Sequence, residues 1–133
     1  MTRPIRLLIV DDEKRFVETL SKRLTARGLF VEGAHSGPEA VAIAQSHPFD
    51  VVLLDFRMPG MDGLATLREM KKTQPLLQVI LLSGNASINI AVEAMRLGAV
   101  DYLLKPADIE DVLGKVEEAF ERKKLQEENR AGA

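Results

Sequence analysis

A chain of 133 residues, 46% hydrophobic and 29% charged, is the size of one compact domain with a core of its own. Its net charge of −2 gives no bulk electrostatic case for binding nucleic acid or a membrane surface. The absence of cysteine excludes disulfides, thiol catalysis and thiolate metal sites, and two histidines as far apart as His35 and His47 give little support to a zinc site. The apolar run at residues 7–10 is too short for a secretory signal or a membrane span, and acid follows it at once, so the expected location is the cytoplasm.

Along the chain, short apolar runs alternate with helical patterns. Residues 5–10 predict a first strand. Phe16, Val17, Leu20 and Leu24 then share one helix face, with Gly28 as a stop. A weaker strand is expected at 29–34. Ser36-Gly-Pro-Glu39 has the form of a capping box with proline in the first turn, ahead of Ala40, Val41 and Ala44. A third strand is expected at 49–54, followed by a helix that starts near Asp62 and carries Leu64, Leu67 and Met70. The fourth strand is expected at 79–82; Ile88, Ala91, Val92 and Met95 mark the next helix, ended at Gly98. The fifth is expected at 100–104, and Asp108 caps a last helix buried through Ile109, Val112, Leu113, Val116 and Phe120.

Strict alternation of five strands and five helices argues an α/β fold, a doubly wound parallel sheet with helices on both faces. The runs are continuous rather than alternating, as in strands covered on both sides. The order 2-1-3-4-5 fits the length, with the most apolar strands central. Residues 1–122 are expected to form the domain. Residues 123–133 are expected to be a charged extension, either a solvated, frayed helix end or the start of a linker helix, since Leu125 alone makes too thin a heptad seam.

In open α/β sheets, ligands bind beyond the carboxyl ends of the strands. Those ends carry Asp11, Asp12 and Glu13 after strand 1, Asp55 after strand 3, Ser83 after strand 4 and Lys105-Pro106 after strand 5. Each residue alone is ordinary cap, turn or surface chemistry. Together on one edge they converge on a chemistry. Strands 1 and 3 are neighbours in the proposed order, so Asp11, Asp12 and Asp55 should meet. Three close carboxylates need a cation, and an oxygen-only donor set favours Mg²⁺ over zinc. A carboxylate can attack phosphorus and form an aspartyl phosphate, with metal and lysine neutralising the phosphoryl oxygens.

Val10-Asp-Asp-Glu13, Asp55-Phe-Arg-Met-Pro-Gly-Met-Asp-Gly63, Ser83-Gly84, Tyr102 and Lys105-Pro106, in this order and spacing, resemble the receiver domain of bacterial two-component response regulators, over about residues 5–120. The stretch from Ser83 to Pro106 is similar to receivers of enhancer-binding transcription activators and hybrid kinases. The resemblance implies the flavodoxin-like (βα)5 fold. It implies that Asp55 is the phosphoacceptor for a sensor histidine kinase or phosphotransfer protein. Mg²⁺ would be held by Asp12 directly, by Asp11 mostly through water, by Asp55 and by the backbone carbonyl of Arg57. Lys105 would pair with the phosphoryl group, Ser83 would move toward it, and the Lys105-Pro106 bond would be cis. Tyr102 would swing inward; read from the residues alone, it is equally a half-buried strand aromatic. Arg57 and Asn85 would tune the phosphate lifetime, or are simply exposed loop residues. Phe56 is bulkier than expected beside the acceptor.

The expected output face is helix 4, strand 5 and helix 5, a surface on which a homodimer is also plausible. The chain is expected to be a switch rather than an enzyme, although one that assists its own phosphorylation and dephosphorylation. With no basic recognition helix, direct nucleic-acid binding is not supported. Three other readings compete. An aspartate-nucleophile phosphohydrolase wants a second acid two residues after its nucleophile, where Arg57 stands. A nucleotide- or flavin-binding module wants a glycine-rich phosphate loop after strand 1, where the acidic run stands. A degenerate receiver used only for protein interaction would not need the complete acidic set.

Overall fold

The computed structural model describes residues 3–56, 63–84 and 88–131, with the backbone alone at Ile88. Ten elements alternate: β1 (Arg6–Val10), α1 (Lys14–Thr25), β2 (Phe30–Ala34), α2 (Gly37–Ser46), β3 (Val51–Asp55), α3 (Gly63–Thr73), β4 (Gln78–Ser83), α4 (Ile88–Arg96), β5 (Ala99–Leu104) and α5 (Ile109–Ala131). The strands form one parallel sheet in the order β2-β1-β3-β4-β5. This is the expected fold, with strand ends shifted by a residue or two.

Strand alternation divides the core between the two faces of the sheet. Leu7, Ile9, Val51, Leu53, Ile80 and Leu82 point to the side covered by α1 and α5. Leu8, Val10, Val52, Leu54, Val79 and Leu81 point to the side where Leu67 and Met70 of α3 and Ala94 of α4 pack. Each of these fully buried aliphatic side chains contributes roughly 1.5–3 kcal/mol, which is why the three central strands read as unbroken apolar runs.

The helix boundaries follow local chemistry. Gly28 has φ +94, and its N–H donates to the Thr25 carbonyl, closing α1 where only glycine is comfortable. At α2, the Ser36 hydroxyl accepts from the Glu39 N–H at 3.2 Å. The return bond departs from the expected box: Glu39 Oε1 accepts from the His35 N–H at 3.1 Å, one residue further back.

The helices bring one detail that periodicity left open and one correction. On α4, Val92 and Met95 are 48% and 46% exposed, while Ala94 is fully buried and Ala91 and Leu97 are partly so. Two apolar stripes at helical spacing share this helix, and the one with the smaller side chains faces the sheet. On α5, Leu113 is only partly buried, and Ala119 completes the stripe. This helix crosses residue 122 without a break and continues to Ala131. Lys123 still donates to Asp50 at 2.9 Å, and Gln78 to Gln126 at 3.2 Å. The expected start of α3 near Asp62 lies outside the described residues.

Candidate functional site

Sheet register assembles the site. Val10 pairs with Leu54, so the next residues along β1 and β3, Asp11 and Asp55, stand side by side. Asp55 pairs with Leu82, which brings Ser83 one step beyond it. Ser83 pairs with Leu104, and the Ser83 carbonyl accepts from the Lys105 N–H at 2.7 Å. The ends of four adjacent chain segments thus deliver Asp11, Asp12, Asp55, Ser83 and Lys105 to one edge.

Asp11, Asp55 and Ser83 are buried there, whereas Asp12 is exposed. Asp11, Asp12 and Asp55 each offer a carboxylate oxygen within 4.8 Å of the others. Lys105 Nζ contacts Asp11 Oδ2 and lies 3.0 Å from Glu13 Oε1 and 3.6 Å from Asp55 Oδ2. Burial would lower the lysine pKa, but the carboxylates of Asp11, Glu13 and Asp55 outweigh it and hold the ammonium above its usual value. Asp11 is oriented from both sides. Its Oδ1 accepts from the Glu13 N–H at 2.9 Å, and its buried Oδ2 has no hydrogen-bond partner besides the lysine contact. Asp11 is not a helix cap: Glu13 is the N-cap residue of α1, which has no side-chain capping bond, and the Asp11 bond closes a turn just ahead of it.

These residues fit a hard divalent cation. The donor set is all oxygen, and three carboxylates face one ammonium, which leaves excess negative charge at the cluster. The Lys105-Pro106 bond is cis, as expected. Tyr102 sits on the edge strand β5 and is 48% exposed. Arg57 and Asn85, and with them the expected carbonyl ligand and lifetime-tuning side chains, lie outside the described residues. The segment between β3 and α3 is bounded closely: the Gly63 N–H donates to the Phe56 carbonyl at 3.1 Å, and a Cβ at Gly63 would lie 2.0 Å from Phe56 Cα. The chain leaving β3 and the chain entering α3 are in backbone contact, which only glycine permits.

Two neighbours of Lys105 had no assigned role. Glu13 belongs to the acidic run, and Phe16, whose ring centroid lies 4.5 Å from Lys105 Nζ, was placed only in the core. Their partner is 92 positions from Glu13, and no local pattern reports such a pairing.

A parallel five-stranded sheet with acids, a hydroxyl and a lysine gathered at its carboxyl edge defines the class of receiver domains, and comparison with known proteins agrees. Residues 7–117 match the family model of the response regulator receiver domain. The chain belongs to the receiver domain family of two-component response regulators. The transcriptional regulatory protein ZraR of Escherichia coli (strain K12) is 39% identical over 116 residues, which are 87% of this chain and 26% of that protein. The chain thus spans about a quarter of the length of the curated relatives it matches. A receiver domain protein (CheY-like) from Methanospirillum hungatei JF-1 superposes with a TM-score of 0.89 at 29% identity, covering 92% of this chain and 98% of that one. A response regulator from Burkholderia pseudomallei, solved with a phosphorylated aspartic acid, a calcium ion and citrate, gives 0.81 at 32% identity, covering 94% and 72%. Among the described residues no helix is long and apolar enough to cross a membrane.

Proposed function

We propose that Asp55 accepts a phosphoryl group from a histidine kinase or phosphotransfer protein in the presence of Mg²⁺, and that the modified domain controls a partner or output domain. The observation that carries this is the placement of Asp55: two further carboxylates lie within 4.8 Å of it, and the Lys105 ammonium lies 3.6 Å away. The phosphorylated aspartate and calcium ion of the Burkholderia pseudomallei relative support the same reading.

One Asp55 carboxylate oxygen attacks the donor phosphorus; the new O–P bond forms as the bond to the donor's histidine nitrogen breaks, and its electron pair leaves with the imidazole. Asp11, Asp12, Asp55 and the Arg57 carbonyl would hold Mg²⁺, which when bound neutralises the phosphoryl oxygens and aligns them with the attacking oxygen. Lys105 supplies a second positive charge, and the Ser83 hydroxyl donates to a phosphoryl oxygen. The group brings about −1.5 to −2 charges and three strong acceptors, enough to bias a two-state loop. Ser83 then draws in the chain that precedes α4, and Tyr102 turns inward. The surface of α4, β5 and α5, where Val92, Met95, Tyr102 and Leu104 are exposed, changes and meets the partner or a second copy. Arg57 and Asn85 set the lifetime by controlling access of water. Direct nucleic-acid contact would belong to another part of a longer protein, and the domain would work in the cytoplasm.

Labelling with acetyl phosphate and Mg²⁺ tests the reading. The wild-type chain should take up one phosphoryl group; Asp55→Asn, or the wild type with the metal chelated, should take up almost none. Full labelling of Asp55→Asn refutes the assignment.

A further inference from the structure

We infer that Glu13 and the ring of Phe16 form a resting place for the Lys105 ammonium, and that they are positioning residues which set how readily Asp55 becomes phosphorylated. The inference rests on the reading of Asp55 as acceptor and Lys105 as the partner of the phosphoryl group.

Glu13 caps α1 with its backbone and makes no side-chain capping bond. Its carboxylate instead reaches across the site and accepts from Lys105 Nζ at 3.0 Å. It is not among the three carboxylates grouped for a cation, Asp11, Asp12 and Asp55, and its side chain is mostly exposed. One turn along α1, the Phe16 ring lies 4.5 Å from the same ammonium, close enough for a cation–π contact. The lysine side chain is largely buried, so these contacts are only partly screened by solvent. The distances order the resting state: Lys105 Nζ touches Asp11 Oδ2, is 3.0 Å from Glu13 Oε1 and stands 3.6 Å from Asp55 Oδ2, so Glu13 and Phe16 share with Asp11 the holding of the ammonium away from the acceptor.

A phosphoryl group on Asp55 must draw this ammonium off α1. Glu13 and Phe16 stabilise the lysine where it rests, and Glu13 also repels the incoming charge. Both therefore favour the unphosphorylated state. Removing either contact frees the lysine and raises affinity for the phosphoryl group, without any change at the acceptor, the metal ligands or the hydroxyl. Phe16 separates contact from charge, because Phe16→Leu leaves net charge unchanged while deleting the π face.

Calorimetric titration with beryllofluoride at saturating Mg²⁺ tests this, using the wild type, Glu13→Gln, Phe16→Leu and, as a charge control on the same helix, Glu18→Gln. Glu13→Gln should bind about threefold more tightly and Phe16→Leu about twofold, the range for one exposed ion pair and one cation–π contact, with Glu18→Gln at the wild-type value. A purely structural role would lower the melting temperature and leave affinity alone. Unchanged or weaker binding by Glu13→Gln overturns the inference. So does unchanged binding by Phe16→Leu, which would reduce Glu13 to a bulk negative charge. Absence of beryllofluoride binding in the wild type itself would instead sink the reading of Asp55, and the inference with it.

Discussion

Lys105 shows at the scale of one residue how the site is tied together. Its backbone N–H is fixed to β4 through Ser83, and its ammonium lies among Asp11, Glu13 and Asp55 and over the Phe16 ring. The strand-end residues of this site were legible in the sequence because parallel register carries each of them to the same edge. Glu13 and Phe16 were not, since their contact depends on the angle at which α1 leaves β1. Tyr102 was legible only as two readings, and its exposure in the structure makes it a usable probe. It is the chain's one tyrosine, and there is no tryptophan. Its acrylamide quenching should fall when beryllofluoride and Mg²⁺ are added, as the ring turns in from its half-exposed position. Unchanged quenching under saturating beryllofluoride would remove Tyr102 from the switch.

Among the elements, α5 departs most from its sequence pattern. A run of charge after Phe120 reads as a solvated helix end; residues 125–131 are exposed, but Lys123 ties the helix to the sheet's amino-terminal edge. Asp50, fully buried before β3, accepts two bonds from Arg3 at 2.7 Å, one from the Arg6 N–H at 2.8 Å and one from Lys123 at 2.9 Å. Burial alone would raise the Asp50 pKa; the bonds from Arg3, Arg6 and Lys123 outweigh it and bring it down to about 2, from an ordinary 3.8. A carboxylate with a lowered folded-state pKa stabilises the fold fully above its unfolded value and loses that contribution as pH falls through the folded one. Asp50 should therefore contribute about 2 kcal/mol above pH 4, declining toward pH 2. Asp50→Asn leaves Arg3 and Lys123 without their acid and should cost on the order of 3 kcal/mol at neutral pH, with a flatter dependence below pH 4. Urea denaturation at several pH values measures both; parallel curves for the two proteins would show that Asp50 is not the group responsible. Such a hub escapes pattern reading because Asp50 falls within an apolar run read as strand, and its partners lie 44 to 73 positions away in sequence. The α4 face escaped for another reason: its two apolar stripes are equivalent in period, and only packing against β5 chooses between them.

Across the whole molecule, the division of labour follows the sheet. Its carboxyl edge gathers the charged chemistry, its amino edge anchors α5, and two apolar layers between them hold the strands in register. Topology was legible because five runs covered on both faces admit few arrangements. The partner was not, because the exposed apolar residues of α4 and β5 offer a surface without identifying its occupant. Everything proposed for the switch depends on where the phosphoryl group goes. Treating the acetyl phosphate product with borohydride reduces an aspartyl phosphate to homoserine, and peptide sequencing by mass spectrometry then locates it. The account predicts homoserine at position 55 and nowhere else; homoserine at position 11 or 12, or a phosphate ester on Ser83, would contradict it.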